Sequence, residues 1–107
     1  MNIPETRRIL VENNINEAAC PINPRVPIEG ALCLYTNETG GWRIRLNERG
    51  NFVIDEIFAS EDLACRRFLC LILSDPTYRK DFSQQDLINF RDRIPALLGK
   101  YGLECRS

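Results

Sequence analysis

A chain of 107 residues has the length of one domain, and 44% hydrophobic with 27% charged residues is the composition of a folded protein, which argues against disorder. A formal net charge of −1 calls for neither a polyanion nor a membrane surface as partner. The basic side chains are twelve arginines against two lysines, Lys80 and Lys100. Base composition explains that bias as well as function does, although arginine forks suit carboxylate, phosphate and protein contacts.

The first element is a helix from Pro4 to about Asn14. Proline suits the first turn, Glu5 favours the positive end, and Ile9 and Leu10 anchor a short apolar stripe that Asn13-Asn14 breaks. Pro21, Pro24 and Pro27 follow at intervals of three, which reads as an extended, rigid surface connector. Ala31 to Thr36 is the first strand, with Leu32 and Leu34 on one face and Cys33 and Tyr35 on the other.

The turn Asn37 to Gly41 leads into Trp42 to Leu46, where Trp42, Ile44 and Leu46 alternate with Arg43 and Arg45. Asn47 to Gly50 turns the chain again. In the third strand, Asn51 to Phe58, the alternation puts Phe52, Ile54 and Phe58 toward the core and Val53, Asp55 and Ile57 on the open face. Glu56 then falls on the core side, which points to a bulge or an edge position.

Ser60 caps a helix that carries Glu61 and Asp62 in its first turn and Ala64, Phe68, Leu71 and Ile72 on its apolar stripe. Asp75-Pro76 ends it. Ser83 is expected to cap a last helix with Asp86 at its third position, with Leu87, Phe90, Ile94, Leu97 and Tyr101 inward and Pro95 kinking or shortening it. Helix, three strands and two helices, without strand-helix-strand alternation, make an α+β single domain over residues 1–107. Its expected form is an N-terminal helix, a three-stranded antiparallel meander, and two C-terminal helices packed on one face of the sheet.

Chemistry is sparse. Histidine is absent, as are a glycine-rich phosphate loop, GxSxG and HExxH. Asp55 and Glu56 point to opposite faces of a strand, so they do not pair as acid and base. The expectation is no enzyme, no cofactor and no metal site. Five cysteines (Cys20, Cys33, Cys65, Cys70 and Cys105) are an odd set with no CxxC. Cys65 and Cys70 stand about 140° apart on a helix. All five read as reduced, mostly buried small residues in a cytoplasmic protein, with Cys105 the exposed thiol. The N-terminus lacks a signal-peptide pattern, and the run Phe68 to Leu73 is too short to span a bilayer, so no membrane is expected.

One alternative stands beside a plain solvated face. Arg43 and Arg45 with Tyr35 on an open sheet face could serve a small RNA-binding or regulatory module. Asp55 on the same face and the slightly acidic chain weigh against nucleic acid and toward cross-strand Arg–carboxylate pairs.

The stretch from Gly41 to Pro76, about a third of the chain, carries a family likeness. Gly41-Trp42-Arg43-Ile44-Arg45-Leu46-Asn47-Glu48-Arg49-Gly50, then Phe58-Ala59-Ser60-Glu61-Asp62-Leu63-Ala64-Cys65-Arg66-Arg67-Phe68, then Leu73-Ser74-Asp75-Pro76 resemble small bacterial immunity proteins of contact-dependent growth inhibition and other polymorphic-toxin systems. The resemblance implies a cytoplasmic protein that binds a cognate toxin C-terminal domain one to one and occludes its active site or substrate access. The toxin in such systems is often a nuclease. It carries over no catalytic residues and no fixed interface. Since a nuclease must attract a polyanion, acidic side chains would complement it. The candidate contacts are Glu38, Glu48, Asp55, Glu56, Glu61 and Asp62, with Tyr35 or Trp42 as an aromatic anchor.

Overall fold

The computed structural model describes residues 1–26 and 28–105, apart from the side chains of 86–88. Pro27 and the inward placement of Leu87 therefore lie outside the described residues. Helix α1 spans Ile3–Glu12, and Asn2 caps it through a 2.9 Å hydrogen bond from the Glu5 backbone N–H to Oδ1. Strands β1 (Leu32–Thr36), β2 (Trp42–Glu48) and β3 (Asn51–Phe58) follow, then α2 (Glu61–Leu73) and α3 (Asp86–Lys100). Single 3-10 turns occur at Glu17–Ala19 and Pro76–Tyr78. This is the α+β order expected from the sequence.

The strands form an antiparallel meander in the order β1-β2-β3. The hairpin between β2 and β3 closes on the pair Glu48–Asn51, with Arg49 and Gly50 both at positive φ (53° and 81°), as a two-residue type I′ turn requires. The turn between β1 and β2 needs Gly41 for a different reason. Its φ is +79°, and a Cβ there would sit 2.6 Å from the Phe58 carbonyl oxygen.

Helix α2 lies on one face of the sheet, and α1 and α3 flank α2. Ser60 caps α2 as expected, its Oγ accepting from the Leu63 N–H at 3.2 Å. The core joins Leu32, Leu34 and Ile44 of the sheet to Phe68, Leu69 and Ile72 of α2 and to Ile9 and Leu10 of α1. Removing this apolar surface from water is the main source of stability. The outer edge of β1 is covered: the Leu34 N–H donates to the Pro21 carbonyl (3.1 Å) and the Asn23 N–H to the Leu34 carbonyl (2.7 Å). The proline segment is thus more than a connector, since it shields an edge that would otherwise expose unpaired backbone.

Four expectations need correction. Phe52 is 51% exposed and lies on the open face. The register steps from Leu46–Ile54 to Asn47–Phe52, so Val53 is an extra residue and the bulge turns Phe52 over. The last helix begins at Asp86 with Gln85, not Ser83, in the cap position, and Gln85 makes no side-chain cap bond. Pro95 neither ends nor shortens that helix, which continues to Lys100. Phe90 is buried and Ile94, Leu97 and Tyr101 are half-buried, while Leu98 joins the core unforeseen.

The fourth correction concerns sulfur. Cys70 and Cys105 form a disulfide, so neither is a free thiol and Cys105 is not the exposed one. The two sulfurs lie 35 residues apart in sequence, and only folding brings α2 and the C-terminal segment together. Cys20, Cys33 and Cys65 are free and buried. Burial, helped by the nearby Glu17 carboxylate, pushes the Cys20 thiol up to about 12, so it is inert as a nucleophile.

Candidate functional site: the open face of the sheet

Strand alternation sends every second side chain of β1, β2 and β3 away from α2. On that open face Tyr35 stands opposite Arg43, and Arg43 opposite Ile57. Arg45 stands opposite Asp55. Ile57 is 60% exposed and Val53 61% exposed. Three large apolar side chains and two arginines therefore share a surface that none of the described helices covers.

Asp55 organises the arginines. Arg43 donates from Nε to Oδ1 at 2.8 Å and from Nη2 to Oδ2 at 3.0 Å, a two-point clamp made diagonally across the strands. Arg45 donates from Nε to the same Oδ1 at 3.1 Å. The Arg43 hydrogen bonds, joined by those of Arg45, hold the Asp55 carboxyl at about 2, well below the usual carboxylate range. The same contact with Asp55 raises the Arg43 guanidinium, which stays charged at any working pH. The Arg45 guanidinium also lies over the Phe52 ring, 4.3 Å from its centroid. The flip of Phe52 by the bulge creates this stack.

A groove of about 420 Å³ opens beside the arginines. Its walls include Arg25 from the proline segment, Tyr35 from β1, Asn37 and Glu38 from the turn, and Arg43 and Arg45 from β2. A second cavity near Arg79 and Phe90 is smaller, about 130 Å³, and Arg79 is already paired with Asp81 at 3.4 Å. Among the described residues no group of three or more His, Cys, Asp or Glu side chains is placed to hold a metal, and no helix is long and apolar enough to cross a membrane.

The expected contact residues divide among several places. Tyr35 and Asp55 share the open face, and Tyr35 and Glu38 line the groove beside it. Trp42 is on the covered side, half-buried against the core beside Phe58. Glu56 is also on that side, where Arg67 of α2 reaches it at 3.2 Å, so the inward carboxylate has an ionic partner at the sheet edge. Glu48 sits at the far hairpin. Glu61 accepts from the Ile3 N–H at 3.3 Å. Asp62 accepts from the Met1 amino group and from Arg66 Nε at 2.9 Å, and these bonds, that of the amino group foremost, lower its carboxyl. No single acidic surface results.

Two residues of the site escape sequence reasoning. Phe52 follows strict alternation only until the bulge, and a hairpin turn directly before it was the available warning. Arg25 lies in a segment without periodicity, so nothing local indicates where it points. Compared with known proteins, the chain matches no family, no curated protein and no solved structure.

Proposed function

We propose that the protein is an immunity-type binding protein that docks a toxin domain on the open face of its sheet and thereby occludes the toxin's active site or substrate access. One observation carries this reading: the sheet is covered by α2 on one side only, while its other side exposes Phe52, Val53 and Ile57 around two preorganised arginines. Exposed apolar and aromatic groups beside ordered arginines are the composition of a protein-binding patch. The resemblance at Gly41 to Pro76 supplies the partner's class. Acidic complementarity by Glu48, Glu56, Glu61 and Asp62 contributes less to this reading, since those side chains are dispersed and three of the four are engaged internally.

The test pairs the chain with the toxin domain encoded next to it. Coexpression should protect cells, and calorimetry should give a one-to-one complex. The absence of both rescue and binding would refute the proposal. The RNA-binding alternative draws on Arg45 stacked over Phe52, but Asp55 occupies both forward nitrogens of Arg43.

The same reading puts the protein to work in the cytoplasm, where disulfides are rare. The Cys70–Cys105 bond pulls the other way. Alkylation at lysis followed by mass spectrometry decides the matter. Five blocked thiols support a cytoplasmic dithiol form; three, with Cys70 and Cys105 joined, support an oxidising compartment.

A further inference from the structure

The arginines around the groove have unequal duties. Arg43 spends Nε and Nη2 on Asp55. Arg45 spends Nε alone, so its two terminal nitrogens have no partner among the described residues. Arg25 has no hydrogen-bond or ion-pair partner among them either, and it lines the same groove from the proline segment. Tyr35 also lines the groove. Asp55 is therefore a brace: it holds two guanidinium groups on the sheet and leaves the terminal donors of Arg45, a residue that lines the groove, without a hydrogen-bond partner among the described residues. Braced arginines lose little rotamer freedom when they bind, which favours recognition.

We infer that this groove is a carboxylate-recognition site that takes an acidic side chain, Asp or Glu, on an extended segment of a protein partner. The inference rests on the open face being the docking face and adds the chemistry of what docks there. Charge selects the occupant. Arg25, Arg43 and Arg45 face two carboxylates, Glu38 and Asp55, so the local excess is one positive charge. A nucleic-acid strand carries a phosphate at every step and would meet both carboxylates along its path. A protein segment can set one carboxylate between Arg25 and Arg45 and neutral or apolar residues elsewhere. Next to the groove, Phe52 and Ile57 offer those neighbours an apolar surface.

The experiment is an NMR titration of the full chain with an oligoglutamate peptide and, separately, with oligothymidylate of equal charge, at about 50 mM salt. Backbone amides and the arginine Nε–Hε signals are followed. Oligoglutamate should shift Tyr35, Arg25 and Arg45 saturably, and Arg25→Ala, which leaves the Asp55 brace intact, should weaken that binding about five- to tenfold. Tighter binding of oligothymidylate at the same signals overturns the inference in favour of nucleic acid, and shifts with neither probe overturn it outright. The wider reading is separated by the toxin itself. Toxin binding unchanged by Arg25→Ala and Arg45→Ala sinks the carboxylate site and spares the immunity role, whereas oligoglutamate binding without toxin binding does the reverse.

Discussion

The two faces of the sheet are built from alternate residues of the same three strands, yet different forces hold them. Leu34 and Ile44 are fully buried against α2 and its neighbours. Tyr35 and Arg43, one step along the same strands, face away from it. The covered face is stabilised chiefly by apolar burial, which involves no titrating group and is not weakened by charge screening. The open face is ordered by one carboxylate and two guanidiniums, an arrangement worth little in water and weakened by salt. Apolar burial and ionic order thus lie on opposite sides of a single layer of backbone, and altering one side is expected to have little effect on the other.

The sharpest way to break that division is a pair of truncations. Phe68→Ala empties the centre of the covered side and should cost about 3–5 kcal/mol, a large share of a small domain's total. Ile57→Ala on the open face should change stability by less than about 0.5 kcal/mol. Urea unfolding midpoints read both. Comparable losses would mean that the open face is part of the stabilising core.

The disulfide tests whether the helical side has its own staple. Bridging residues 35 apart restricts the unfolded chain, and the loop-entropy relation gives about 3–4 kcal/mol. Cys105→Ser, or dithiothreitol added to the native chain, should lower thermal stability accordingly while leaving the Arg43–Asp55 signals in place. Unchanged melting would show that Leu103, buried at 6% exposure, holds the C-terminal segment unaided.

Residue patterns alone were enough for the element order and the covered face. Trp42 to Leu46 alternates without a break, Ser60 caps where a cap is needed, and Ile9 and Leu10 anchor the first helix, because each of these is decided within a turn or two of chain. The open face was legible only in part. Tyr35, Arg43, Arg45 and Asp55 follow from alternation, but Phe52 depends on one bulged residue, and a single insertion inverts every side chain beyond it. Arg25 and the Cys70–Cys105 pair depend on tertiary proximity, which no local period encodes. Pro95 shows the opposite failing for helix length: a residue that often stops a helix lies inside one that runs on to Lys100.

A smaller effect concerns the turn that joins β1 to β2. Gly41→Ala meets both positive φ and the Phe58 carbonyl, and should cost about 2–4 kcal/mol. Gly40→Ala has the same sign of φ and open space around it, so about 1–2 kcal/mol is expected. Equal losses at the two sites would show that backbone conformation alone, without the close approach to β3, sets the requirement.

The effect expected at Asp55 is smaller again and is the most informative about the open face. Its carboxyl is held at about 2 in the folded chain against 3.8 in a free one. A depressed folded value means that the stabilisation is fully present above about pH 4 and disappears as pH falls through 2. The group is solvent-accessible, so screening reduces its worth to about 0.5–1 kcal/mol. The stability difference between the native chain and Asp55→Asn should therefore be constant from pH 5 to 7 and close between about pH 4 and 2. It should also shrink in about 1 M salt, where the screening length falls to about 3 Å. The loss from Phe68→Ala should show neither dependence. A difference at Asp55 that ignored both acid and salt would mean that the carboxylate acts by packing, and the brace that presents Arg45 to the groove would lose its electrostatic basis.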